Sequence, residues 1–251
     1  MIEIVPLGGI GEVLPGTDLP ALFAAAMAAQ GIAHRPGDIL VVTQKIVSKS
    51  EGRFVSLAEV MPGEEAERVA AITRKDPRLV ELVLAESSAV LRAVPNVLIT
   101  RHKLGLVMAN AGIDRSNIGP GNEERVLLLP IDPDASAARI AAALAGPDGQ
   151  GPAVLISDSF GRPWRNGVVS VAIGASGLPS LIDRRGDLDR DGRRLEVTQI
   201  ALGDMIATAA GLAAGEGAES IPAVLVRGYP LAWPASPASA LVRNIDEDLF
   251  R

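Results

Sequence analysis

Two pairs of apolar, β-rich runs lie too close together for a crossover helix to separate them. AVLRAVPNVLIT and LGLVMAN occupy residues 89–109 with RHK between them, and AVLI is followed closely by VVSVAIG at 168–174. Strands spaced this way join as antiparallel hairpins, because parallel neighbours need a connection of roughly a dozen residues or more. The remaining segments do not alternate strand and helix regularly. The pattern predicts an α+β fold with mixed or antiparallel sheets, not a doubly wound parallel sheet.

Local signals place the other elements. Residues 2–5 read as a first strand, followed by the glycine-rich LGGIGEVLPG. Asp18 caps a helix to Ala29, with Leu19, Leu22, Phe23 and Met27 on one stripe. Pro36-Gly37 turns into DILVVTQKIVSKSEG, a strand with a charged continuation. Residues 56–87 are helical in pattern, broken at Pro62-Gly63 and near Asp76-Pro77, and residues 126–129 form a short strand. Asp134 opens a helix to Ala145, and GPDGQGP at 146–152 marks a subdomain boundary within one 251-residue domain. Thr198 caps an alanine-rich helix to Ala214 that Gly215 stops, and residues 221–226 form the last strand.

Composition narrows the chemistry. A net charge of −6 without a dense Lys/Arg tract argues against a nucleic-acid partner. With no cysteine and only two histidines, His34 and His102, any metal is expected to be hard and oxygen-ligated: Mg²⁺, Mn²⁺ or Ca²⁺. MIEIVPLGG lacks the layout of a signal peptide, and the apolar stretch at 200–215 contains Asp204 and is too short to span a bilayer. A cytoplasmic protein with no membrane partner is the expectation.

The candidate residues cluster at the ends of apolar runs. Asp114 in NAGIDRSN follows LGLVM, and Asp158 in SDSFGRPWRNG follows AVLI. Two such strand ends can bring carboxylates to one metal, or each acid can cap its own turn. Glu216 between Gly215 and Gly217 suits close backbone approach to an anion, or an ordinary helix stop. Lys45 and Lys49 share a face and suit a polyphosphate, or a solvated edge. Arg162 and Arg165 bracket Pro163-Trp164 and suit phosphate or carboxylate, or a surface loop with Trp164 plugged into the core.

Other motifs fail. Asp187, Asp189, Asp191 and Gly192 mimic the start of a calcium loop, but its twelfth position is Thr198, where a bidentate Glu is needed. PLGGIG opens no helix, and no Walker loop is present.

Taken together, GDILVVTQKIVSKSEGR, NAGIDRSN, SDSFGRPWRNG and the block from DGRRLEVTQIALGD to AAGEGAE resemble, in order and spacing, the coenzyme F420 γ-glutamyl ligase family. The resemblance runs from Ile4 to about Pro230. It implies an α+β fold of two intertwined subdomains and a homodimer. It also implies GTP-dependent joining of L-glutamate to the carboxylate of the deazaflavin precursor F420-0, then γ-linked extension, with two Mg²⁺ or Mn²⁺ ions per site and K⁺.

By motif, the resemblance implies Asp114 and Asp158 as ligands of one ion, and Ser159 and Glu216 as ligands of the other. For GTP it implies Ile10, Gly11, Glu12, Val13, Gln44, Lys49 and Asn117, together with the loop Ala214, Gly215, Glu216, Gly217, Ala218, Glu219, Ser220 and Ile221. Asp158 and Arg162 are the expected catalytic residues, with Lys49 and Arg162 balancing phosphate charge. Gln44 stands where relatives often carry a small hydroxyl residue, and Gly11 where proline is usual. The chain, ending at Arg251, is expected to lack the nitroreductase-like domain fused to some relatives. A non-catalytic nucleotide- and metal-binding module, or the same chemistry on another acid, are the competing functions.

Overall fold

The run ILVV at residues 39–42 is apolar at every position, as a strand covered on both faces requires. The computed structural model of the chain describes residues 1–119, 124–147 and 149–248. Asp148 of GPDGQGP, and Arg251, lie outside them. In chain order the elements are β1 (Glu3–Pro6), α1 (Leu19–Ala29), β2 (Ile39–Thr43), α2 (Gln44–Ser50), β3 (Phe54–Ser56), α3 (Glu64–Thr73), α4 (Pro77–Ala85), β4 (Ser87–Val94) and β5 (Val97–His102). There follow β6 (Val107–Ala109), β7 (Arg125–Leu127), α5 (Pro133–Leu144), β8 (Ala153–Arg162), β9 (Arg165–Ser176), β10 (Ile182–Asp183), β11 (Gln199–Ile200), α6 (Leu202–Ala214) and β12 (Ala223–Arg227).

The main sheet has the order β1-β12-β2-β8-β9. Only β2 and β8 run parallel; the other neighbours are antiparallel, so the fold is α+β with a mixed sheet. Alternation along β2 sorts its side chains. Leu40 and Val42 join Phe23 of α1 and Ile140 of α5 on one face, while Ile39 and Val41 join Ile206 and Ala210 of α6 on the other. Each helix face therefore finds its half of a continuous apolar strand. A separate core forms from α3, α4 and the strands around them, centred on Val69, Val80, Val83, Leu98 and Val126.

Several local expectations change on folding. Residues 44–50 form a helix, not the continuation of the strand, because helical turns bury Ile46 and Val47 while leaving Lys45 on the opposite side. Residues 87–109 form three strands, with Asn96 at φ 67° making the additional turn after Pro95. The cap of α5 is Asp132, whose carboxylate accepts from the Ala135 N–H, and not Asp134. Helix α6 starts after Ala201 without a side-chain cap; Thr198 lies ahead of β11, which is taken up by pairing with β10. SDSFGRPWRNG is itself the outer half of the β8–β9 hairpin, and Trp164, at φ 59°, sits 82% exposed at its turn, not in the core.

Strand β9 is an edge, and side chains from both helix layers blunt it. Asp204 of α6 accepts from the Ala172 N–H at 2.9 Å, and Thr208 donates to the Ser170 carbonyl at 2.7 Å. Asp134 accepts from Ala175 at 2.8 Å, Ala238 at 2.8 Å and Ser239 at 3.2 Å, tying the edge to the C-terminal segment. Truncating Asp134→Ala leaves these backbone donors without their carboxylate. The expected loss is about 3 kcal/mol in denaturant unfolding, at unchanged circular dichroism. A loss under about 0.5 kcal/mol contradicts this role.

Candidate active site

The parallel pair places two chemical segments side by side. Thr43 ends β2 opposite Ser157 of β8, so Gln44 opens α2 beside Asp158, where β8 runs on past the end of its parallel partner. Residues outside the carboxyl ends of parallel strands face a ready crevice. Strand β12, antiparallel to β2, begins there and brings in the loop after α6. The resulting cleft has a volume of about 1090 Å³. Its wall includes Ile10, Gly11, Glu12, Val13, Gln44, Lys49, Asn117, Asp158, Ser159 and the whole 214–221 loop.

Asp114 arrives from the second core. Its backbone exchanges two 2.9 Å hydrogen bonds with Leu127, fixing it to the end of β7. The preceding residues Asn110, Ala111 and Gly112 all have positive φ (50°, 51° and 68°). A Cβ at Gly112 would stand 2.8 Å from Met108 Cε and 2.9 Å from Leu129 Cδ1, so glycine is required for both backbone and space. This left-handed turn aims Asp114 at α2. Gln44 Nε2 donates to Asp114 Oδ2 at 2.7 Å, Ser48 Oγ donates to Gln44 Oε1 at 2.9 Å, and Lys45 Nζ lies 2.6 Å from the same Asp114 oxygen.

Three further contacts span the cleft. Ser159 Oγ donates to Glu216 Oε1 at 2.8 Å. Asn117 Nδ2 donates to the Gly217 carbonyl at 3.3 Å, joining the Asp114 loop to the loop after α6. Lys49, whose side chain is 6% exposed, pairs with Glu12 at 2.5 Å. Gly215 has φ 75°, and a Cβ there would collide with the Glu219 carboxylate, which itself accepts from the Gly217 N–H at 2.7 Å.

Burial, and then the charge of Asp114, push the Asp158 carboxyl up to about 7; the Ser159 N–H, Lys45 and Gln44 oppose the shift. Asp158 lines the cleft and Asp114 stands just behind the lining residues Gln44 and Lys45, and two carboxylates that repel one another in this way are a site for a cation. Asp114, Asp158, Ser159 and Glu216 offer hard oxygen donors of the type Mg²⁺ and Mn²⁺ accept. Among the described residues, no group of three or more His, Asp or Glu side chains gathers closely enough to hold a metal alone.

Not every expected residue reaches the cleft. Arg162 pairs with Arg165 at the far end of the hairpin and donates to the Asn166 carbonyl at 3.4 Å; it is not part of the cleft wall. The calcium-like acids are used locally: Asp187 pairs with Arg184, and Asp189 accepts from Asp191 and Arg193 N–H groups. Arg115, Ser157 and Ser170 line the cleft without having been singled out. Ser170 stands opposite Ser159 in the hairpin register, a pairing no local signal announces. No helix among the described residues is long and apolar enough to cross a membrane.

A model of the family described as F420-0:Gamma-glutamyl ligase matches residues 9–228. The chain is 44% identical over 254 residues to the Coenzyme F420:L-glutamate ligase of Methanopyrus kandleri, covering 100% of this chain and 97% of that protein. It is 41% identical over 252 residues to the protein of the same name from Methanothermobacter thermautotrophicus, covering 100% and 99%. The relative from Methanocaldococcus jannaschii, also so named, is 39% identical over 215 residues, 86% of this chain and 85% of its own.

The Asp158 environment has a measurable consequence in metal-free protein. The unfolded chain ionises this carboxyl near the ordinary 3.8 and the folded one near 7. Between those values the folded state holds the extra proton, so stability falls as pH rises through this window. Replacing Asp158→Asn removes the titration. The variant's melting temperature should gain on wild type from pH 4 to 7 and then keep a constant lead. A lead independent of pH contradicts the assignment.

Proposed function

Because the chain belongs to the F420-0:γ-glutamyl ligase family, we propose that it joins L-glutamate to the carboxylate of the deazaflavin precursor F420-0, with GTP as phosphoryl donor, and then adds γ-linked glutamate. The observation that carries this reading is convergence. Sequence motifs far apart in the chain, around Glu12, Lys49, Asn117, Asp158 and Glu216, all line one cleft. The relatives' shared name supplies the reaction type.

The residues divide the work. Asp114 with Asp158, and Ser159 with Glu216, would hold two divalent ions. When bound, these ions neutralise charge on the nucleotide phosphates and on the transferring group. Mg²⁺ commonly takes one or two carboxylates and completes its shell from phosphate and water, which suits an incomplete protein ligand set. The 214–221 loop closes over the phosphates with backbone N–H groups, and Asn117 tethers it through Gly217. Lys49 exchanges Glu12 for phosphate.

The bond changes follow. A carboxylate oxygen of the acceptor attacks the γ-phosphorus, the β–γ bridge breaks and GDP leaves. The glutamate amine then attacks the acyl carbon, phosphate departs and the nitrogen loses a proton. The amide product, GDP, phosphate and a proton balance the reaction. A positioned and desolvated site matters most here, because phosphoryl transfer depends on alignment and charge neutralisation.

The test mixes GTP, Mn²⁺, L-glutamate and F420-0 with the protein and measures GDP by chromatography and product mass by mass spectrometry. GDP should appear only with both substrates present, and the product should carry added glutamate. Asp158→Asn should lower the rate more than about 100-fold at unchanged circular dichroism. GTP binding without GDP release favours a non-catalytic module. GDP release with only a different acid transfers the chemistry to another acceptor.

A further inference from the structure

The proposed reaction leaves Lys45 without a role, although it lines the cleft and makes a direct ion pair with Asp114. Its Nζ lies 2.6 Å from Asp114 Oδ2 and donates to the Ser116 carbonyl at 3.1 Å. Its side chain is 24% exposed and that of Asp114 27%, so the pair is partly shielded from solvent. Asp114 Oδ2 also accepts from Gln44. That single oxygen therefore accepts from two protein donors, and both donors also act on Asp158.

A cation that binds Asp114 through this oxygen must displace a donor. Gln44 is held from behind by Ser48, a residue with no exposed surface. Among the described residues, Lys45 hydrogen-bonds to Asp114 and to the Ser116 carbonyl of the same loop, with nothing packed behind its ammonium as Ser48 is behind Gln44 in the hydrogen-bond network. The flexible ammonium is the group that yields. We propose that Lys45 is a resident counter-ion of the Asp114–Asp158 pair, which keeps the empty site assembled and competes with the divalent ion for Asp114. The inference rests on the assignment of Asp114 as a metal ligand.

The chemistry distinguishes this role from simple anchoring of the loop. A counter-ion lowers metal affinity while present, because its charge-assisted hydrogen bond must be broken and its positive charge opposes the incoming cation. An anchor raises affinity by holding the ligand in place. Removal of Lys45 thus has opposite signs in the two cases.

The experiment titrates Mn²⁺ without nucleotide into wild type, Lys45→Met and Asp114→Asn, with calorimetric detection. The counter-ion role predicts about tenfold tighter Mn²⁺ binding in Lys45→Met, the size expected for one charge-assisted contact removed from the competition. Asp114→Asn should bind more weakly than wild type. A second measurement needs no variant. Mn²⁺ should speed acetylation of Lys45 in wild type, read by peptide mass spectrometry, because the displaced ammonium returns to solvent. It decides the matter if Lys45→Met does not fold. Unchanged or weaker Mn²⁺ binding in Lys45→Met, or labelling of Lys45 unaffected or slowed by Mn²⁺, overturns the counter-ion role. If Asp114→Asn binds Mn²⁺ as wild type does, the metal assignment of Asp114 falls first and takes this inference with it.

Discussion

Repulsion between Asp114 and Asp158 is the interaction around which the site is organised. Neither acid is placed by its own neighbours alone. Asp158 extends from the parallel β2–β8 pair, and Asp114 from a left-handed turn bridged to β7. The two cores meet where these supports end. Keeping two carboxylates together costs stability, and the structure offsets that cost with donors from α2: Gln44 and Lys45, backed by Ser48. Helix α2 is the element that reconciles the acids, and it follows directly from the central strand.

The rest of the fold holds this junction rigid. An all-apolar β2 is gripped by α1 and α5 on one face and α6 on the other. The edge strand is pinned by Asp134, Asp204 and Thr208, which keeps the β8–β9 hairpin, and with it Asp158 and Ser159, in register. Rigid strands stand on one side of the cleft and a glycine-rich loop on the other, an arrangement that suits the proposed division between metal ligands and phosphate contacts.

Much of this was legible from local chemistry. Asp18 caps α1 as its position before an apolar stripe requires, and Pro62-Gly63 and Asp76-Pro77 separate the helices they precede or open. Acids at the ends of apolar runs pointed to the cleft, because a strand end is where a side chain leaves the core. What escaped depends on distant partners. The β-propensity of Ile46 and Val47 argues for a strand, but tertiary burial of both together with the polar Gln44, Ser48 and Lys49 selects a helix. Asp134 serves β9 and the C-terminal segment, so Asp132 does the capping. Arg162 shares a motif with Asp158, but strand extension carries it away from the cleft. The Lys45 contact joins residues about as far apart as Gln44 and Asp114, 70 positions, beyond any local pattern.

The central claim is that the two pairs, Asp114 with Asp158 and Ser159 with Glu216, hold divalent ions against nucleotide phosphates. A crystal structure with Mn²⁺ and a non-hydrolysable GTP analogue, with anomalous diffraction to locate manganese, tests it most directly. The account predicts two manganese peaks in the cleft, one within about 2.3 Å of a carboxylate oxygen of Asp114 or Asp158 and one at Ser159 and Glu216, both shared with phosphate oxygens. Nucleotide bound in the cleft with manganese absent from these four side chains would contradict it.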